Sequence, residues 1–85
     1  MTSVDLRHFR HFLAVAEERH FTRAAERLGI KQPPLSQQIR QLEQVGTLLF
    51  RRLTRGIKLT EAGALLLEEA RQILAHVERA KAARV

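Results

Sequence analysis

The 85-residue chain has no cysteine, tryptophan or tyrosine, and only four phenylalanines, four glycines and two prolines. Without cysteine there is neither a disulfide framework nor a thiolate metal site, and the composition is compatible with a reducing cytoplasm. With so few aromatic residues, an aromatic platform for stacking single-stranded bases is not evident, and three of the four phenylalanines fall at apolar core positions. Long apolar runs are missing too. The longest uninterrupted ones, Phe12 to Ala16 and Ala62 to Leu67, fall far short of the roughly 20 residues of a membrane helix, and no signal peptide pattern is present. The length allows one small domain with a modest core, and a large active-site cleft is not expected.

The formal net charge is +6, and it is unevenly spread. In residues 1–22, Arg7, Arg10 and Arg19 cancel Asp5, Glu17 and Glu18. In residues 59–85, Arg71, Arg79, Lys81 and Arg84 cancel Glu61, Glu68, Glu69 and Glu78. The whole surplus lies in residues 23–58, where Arg23, Arg27, Lys31, Arg40, Arg51, Arg52, Arg55 and Lys58 are set against Glu26 and Glu43. A basic centre in a neutral frame is the footprint expected for a polyanionic partner, with a solvated basic face as the alternative.

Hydrophobic periodicity supplies the elements. Leu6, Phe9, Phe12, Leu13 and Ala16 share one face of a helix over residues 5–18, with Asp5 favourable near its N-terminus. Thr22 is placed to cap a short second helix, Arg23 to Leu28, which Gly29 ends. A third helix, about residues 33–44, carries Leu35, Ile39 and Leu42 as its apolar stripe, and Gly46 suits the left-handed position after it. Leu48–Leu49–Phe50 and Ile57–Lys58–Leu59 flank a basic turn, Arg51 to Gly56, as a short β-hairpin. Thr60 caps a last helix running to about Ala83, with Glu61 in its first turn. Along it Leu66, Ala70, Ile73, Val77 and Ala80 alternate four and three apart, a seam for a second copy or for the helix's own domain. With no C-cap residue after Ala80, the chain is expected to be a fragment. The fold class is thus mainly α, with three helices, a hairpin and a long helix, divided as residues 1–59 and 60–85.

Two prolines stand at the head of the third helix. Inside a helix proline costs about 3 kcal/mol, because it lacks an N–H and clashes with the preceding turn. In the first turn the N–H groups have no intrahelical partner and most of that cost disappears, so Pro34 is expected at the first helical position and Pro33 near the N-cap. Helix, glycine-containing turn and helix form the outline of a helix-turn-helix, in which Ala24 and Ala25 allow a close crossing and Leu28, Ile30, Leu35 and Ile39 fill the wedge. Opposite the apolar stripe lie Pro33, Ser36, Gln37, Arg40 and Gln44. A helix entering the major groove presents its first turn to base edges. There pyrrolidine rings suit thymine methyl groups, Ser36 can donate or accept, Gln37 can bond the adenine edge twice, and Arg40 reaches phosphate or guanine.

On these residues the chain resembles the N-terminal DNA-binding domain of the LysR-type transcriptional regulators. The likeness covers about residues 5 to 80. It rests on Phe12-Leu13-Ala14-Val15-Ala16-Glu17, on Phe21-Thr22-Arg23-Ala24-Ala25-Glu26-Arg27-Leu28, and on Gln32-Pro33-Pro34-Leu35-Ser36-Gln37-Gln38-Ile39-Arg40-Gln41-Leu42-Glu43. Leu49-Phe50-Arg51-Arg52, Arg55-Gly56 and Leu59-Thr60-Glu61-Ala62-Gly63 follow in order. The resemblance implies a winged helix-turn-helix that binds double-stranded DNA, with base readout by Gln32, Pro33, Pro34, Ser36 and Gln37. Thr22, Arg23, Lys31, Arg40, Arg52, Arg55 and Lys58 would meet the DNA backbone or, for the hairpin wing, the minor groove. The last helix would be a linker helix joining two subunits through Leu66, Ala70, Ile73, Val77 and Ala80. The partners implied are an interrupted palindrome in DNA and a second copy, with a tetramer in the longer protein. A ligand-binding domain would follow, so a small-molecule inducer belongs to the full-length protein and no cofactor to this stretch. The setting implied is cytoplasmic, without a membrane.

The chain departs from the family pattern in two respects. Many relatives carry Arg where Gln37 stands, and Ser, Thr or Ala where Lys31 stands. Relatives also place one more residue between the Leu42-Glu43 pair and the Val45-Gly46 pair, so the wing is expected to shift while Val45 stays on the buried face. A protein-binding helical adaptor is the rival from another class, although it would not require the charge surplus to sit on the third helix and hairpin. An enzyme is the weakest reading. His8 and His11 stand i, i+3, but no third ligand accompanies them at metal-site spacing.

Overall fold

Asp5 begins the fold by closing the first turn of α1 (Leu6–Glu18): its Oδ1 accepts the Arg7 N–H at 2.9 Å, and its own N–H donates to His8 Nδ1 at 3.1 Å. The computed structural model describes residues 4–83, the Val45 side chain excepted, so the expected burial of Val45 lies outside the described residues. Helix α1 ends at Arg19, which takes a left-handed conformation (φ 58°) and donates its N–H to Val15 O at 2.8 Å. After one extended residue, His20, helix α2 (Phe21–Leu28) begins two residues earlier than expected. Thr22 therefore lies inside its first turn and does not cap it; the N-cap is His20, without a side-chain bond. Gly29, at φ 71°, closes α2 as the sequence suggests.

Lys31 is the extended N-cap of α3 (Gln32–Val45), which puts Gln32 at the first helical position and both prolines just behind it, still within the turn that needs no N–H bonds. Gly46 does not adopt the expected left-handed cap. It sits at φ −142°, ψ −93°, neither helical nor extended, and the chain bends through Gly46 and Thr47. Strand β1 (Phe50–Arg52) pairs antiparallel with β2 (Ile57–Leu59), Phe50 opposite Leu59 and Arg51 opposite Lys58. The strand starts two residues later than expected: the Leu49 carbonyl still accepts the N–H of Thr60 opposite it, but the Leu49 N–H is diverted to the Glu43 carboxylate and the ladder stops there. Arg51 and Arg52 accordingly belong to the strand and not to the turn.

Helix α4 (Glu61–Ala83) is capped as expected: Thr60 Oγ1 accepts the Gly63 N–H at 3.0 Å and donates to Leu48 O at 2.7 Å. Helix α1 is the centre of the domain, packing against α2, α3 and α4. Phe12, Val15, Leu35 and Ala70 are fully buried, and Phe12 packs on Phe50 with ring centroids 5.4 Å apart and planes tilted by 41°, joining helices to hairpin. Among the described residues no helix is long and apolar enough to cross a membrane.

Candidate nucleic-acid interface

Helix α2 buries Ala24 and Ala25, small residues that suit a close helix crossing, and packs on both α1 and α3. On and just before α3, Lys31, Pro33, Pro34, Gln37, Arg40 and Gln44 are exposed and Gln32 is half-buried. Ser36 is a correction. Expected on the outward face, it is buried at the edge of a groove that Phe21 and Phe50 also line, and its Oγ accepts the Gln32 Nε2 amide at 2.6 Å. Its hydroxyl therefore orients Gln32, whose carbonyl oxygen remains free to accept.

The hairpin stands beside this helix. Leu53 N–H donates to Gly56 O at 3.1 Å, closing a turn through Thr54 and Arg55 in which Gly56 has φ 75°. Arg51, Arg52, Thr54, Arg55 and Lys58 are all exposed. Thr22, Gln32 and Arg52 come together around one shallow concavity, while Arg23 and Arg55 line another with Arg19 and Thr54. Arg40, Arg51 and Arg52 border the groove between α3 and the hairpin. Lys58, on the other strand of the hairpin, lines a separate concavity with Arg19 and Leu53. The Arg52 guanidinium lies 5.2 Å from the centroid of the Phe21 ring, which steadies it at the root of the wing.

Electrostatics separate this surface from the rest. Arg27 is paired with Glu17 at 2.8 Å and Glu18 at 3.3 Å, and Glu17 also holds Arg71 of α4 at 3.3 Å. The Arg27 hydrogen bond is the chief cause holding the Glu17 carboxyl below its usual range, partial desolvation opposing and Arg71 assisting. By contrast Arg23, Lys31, Arg40, Arg51, Arg52, Arg55 and Lys58 form no ion pair among the described residues. Arg51 and Lys58 even stand directly across the hairpin, a like-charge pairing that destabilises a sheet unless an anion meets it. Sequence reasoning counted Arg51 in the charge surplus without making it a site residue. Its position opposite Lys58 was the available signal.

Behind α3, His8 is engaged on both ring nitrogens. His8 accepts the Asp5 N–H on Nδ1, so its proton sits on Nε2, which donates to Gln41 Oε1 at 2.9 Å. Both His8 nitrogens are thus engaged within the protein, and the described residues contain no group of three or more His, Cys, Asp or Glu that could hold a metal ion. In α4, Ala70 is a second correction: fully buried against its own domain, it is not free to meet another copy. Leu66 packs on the same core, Ile73 and Val77 are half-buried, and Ala80 is exposed.

Residues 6–64 match the family model described as bacterial regulatory helix-turn-helix protein, lysR family. The chain is 67% identical over 73 residues to the regulator BudR of Klebsiella aerogenes, covering 85% of this chain and 51% of that protein. It is 56% identical over 81 residues to a probable cat1 operon transcriptional activator of Acinetobacter lwoffii, covering 94% and 27% respectively. The chain thus spans about half the first relative's length and about a quarter of the second's. Among solved structures, the BenM DBD bound to catB site 1 DNA superposes with a TM-score of 0.90 at 42% identity, over 94% of this chain and 91% of that one. The CbnR DBD–DNA complex gives 0.89 at 41%, over 94% and 93%. The chain belongs to the LysR family of bacterial regulatory helix-turn-helix proteins and carries that family's winged DNA-binding domain, not an enzyme.

Proposed function

We propose that this chain binds double-stranded DNA sequence-specifically as a dimer, with α3 in a major groove and the hairpin at the neighbouring minor groove, as part of a cytoplasmic transcriptional regulator. The observation that carries the reading is the set of unpaired cations. Among the described residues every surplus positive charge except that of Arg27 lacks a carboxylate partner, and nearly all of these lie on α3, on the turn before it, or on the hairpin. Gln32, Pro33, Pro34 and Gln37 are the base readers in this reading, with Ser36 acting through Gln32. Thr22, Arg23, Lys31, Arg40, Arg51 and Arg52 meet phosphate, and Arg55 at the wing tip enters or borders the minor groove. Lys58 contributes charge from the hairpin's other strand.

A single copy covers too few base pairs for useful selectivity, so two copies share one interrupted palindrome. The stripe left free for this on α4 is Ile73, Val77 and Ala80. The likeness to the BenM and CbnR DNA complexes supports the docking mode. In the longer protein a further domain takes a small-molecule inducer, and this stretch needs no cofactor. Binding of the chain to duplex DNA at two salt concentrations tests the proposal. Affinity should fall steeply as salt rises, and a duplex selected from a random pool should outcompete bulk DNA. Salt-insensitive binding, or none, would leave the protein-binding adaptor as the better reading.

A further inference from the structure

We infer that Glu43 is the positioning residue that holds the wing at its distance from α3, and so decides which part of a DNA site the hairpin meets; this rests on the DNA-binding reading above. Glu43 sits in the last turn of α3. Its Oε2 accepts the N–H of Leu49 at 2.8 Å and of Phe50 at 3.3 Å, the residues that lead into β1. Among the described residues these are the side-chain hydrogen bonds that tie α3 to the hairpin. The other ties run elsewhere: Ile57 N–H bonds the Arg19 carbonyl, and Thr60 bonds Leu48 and Leu49 from the start of α4. Between helix and strand the backbone itself supplies little: Gly46, which is not left-handed, donates its N–H to Glu43 O at 3.3 Å, and Leu48 is 51% exposed.

A carboxylate facing a DNA groove repels phosphate unless its charge is engaged within the protein. Glu43 lines the groove with Arg40, Arg51 and Arg52 and pairs with none of them within ion-pair distance. It is directed instead at two backbone donors, those of the buried residues Leu49 and Phe50, and a carboxylate bonded to backbone N–H groups is a strong acceptor that is costly to lose. Truncating the acceptor leaves those N–H groups orphaned, and β1 must shift to find others. The strand carries Arg51 and Arg52, and the turn beyond it carries Arg55, so the wing moves as one piece.

Glu43 does not need to touch DNA for this to be measured. In a double-mutant cycle on a duplex selected from a random pool by the wild-type chain, Arg55→Ala should weaken binding about tenfold in the wild type and less than about twofold in Glu43→Ala, because the wing is already displaced. Glu43→Gln keeps an oxygen in the same place and should restore the full Arg55 effect. Glu43→Asp is too short to reach and should behave as Glu43→Ala; it replaces that variant in the cycle if Glu43→Ala is unfolded by circular dichroism. An Arg55 effect of the same size in every background, or none in the wild type, overturns the inference. Absence of any duplex binding by the wild type overturns the DNA-binding reading instead.

Discussion

A Cβ placed on Gly56 would stand 2.8 Å from the backbone oxygen of Arg19. The two residues belong to different parts of the fold, the wing turn and the αL corner between α1 and α2, and the adjacent Ile57 N–H donates to that same oxygen at 3.2 Å. Gly56 also has φ 75°, where a side chain costs about 1–2 kcal/mol. Gly56→Ala therefore combines strain with a clash against backbone that cannot turn aside. A loss of about 2–3 kcal/mol in thermal unfolding is expected. Unchanged stability would mean that the wing is free of the α1–α2 corner.

Base reading and backbone holding should separate by mutation. Gln37 is exposed on α3, three residues before the exposed Arg40. Gln37→Ala should flatten preference at one position of a selected site, costing about 1–3 kcal/mol there and little on random DNA. Arg40→Ala and Arg52→Ala should weaken both kinds of DNA alike and lower the slope of log affinity against log salt. Equal losses for Gln37→Ala on selected and random duplexes would remove it from the readout set.

His11 gives the domain a pH dependence. Its ring is buried near Gln38 of α3, close enough for the amide to favour the protonated ring, yet neither His11 Nδ1 nor Gln38 Oε1 has a partner of good hydrogen-bond geometry. Burial pushes its pKa below the ordinary 6.5, Gln38 opposing, Arg7 and His8 adding to the depression and Asp5 opposing weakly. The unfolded chain thus takes up the proton first, so the stability is full above about pH 6.5 and declines as pH falls from there toward the depressed folded value. His11→Phe removes the proton site and the orphaned nitrogen. Its melting temperature should change less than the wild type's between pH 7 and 5, and a parallel decline would assign the effect to other groups.

How far the sequence reached depended on whether a residue's fate is decided locally. The helices, the proline start of α3, the Thr60 cap and the hairpin follow from period, capping chemistry and turn residues, and the structure places them within a residue or two. What was not legible depends on distant partners. Thr22 cannot cap because Arg19 turns left-handed first. Gly46 is not left-handed and β1 starts late where a carboxylate three residues upstream of that glycine takes the next N–H groups. Ser36 is apolar-facing only because Phe21 and Phe50 close that side of α3, and Ala70 is consumed by α1 packing that no heptad pattern reveals. The candidate interface was mostly visible as charge; the coupling among its parts was not.

The free part of α4 carries the last prediction. Leu66 and Ala70 are held by the domain, but the same stripe continues through Ile73 and Val77 to Ala80 in a helix of 23 residues. The helix also has charge of both signs, with Lys81 paired to Glu78 at 3.8 Å, so two copies would not repel strongly across it. A two-fold axis along this stretch would make the contact self-complementary and carry two copies of α3 to half-sites about one turn, roughly 34 Å, apart. Ile73→Glu puts two unpaired charges into that contact, while Ile73 is only half-buried in the single chain, so the domain itself should remain folded. The variant should sediment as a monomer and lose about 100-fold or more in affinity for a two-half-site duplex, with its affinity for one half-site kept. A wild-type chain that stays monomeric at high concentration, together with normal binding by Ile73→Glu, would show that the stripe serves one chain alone.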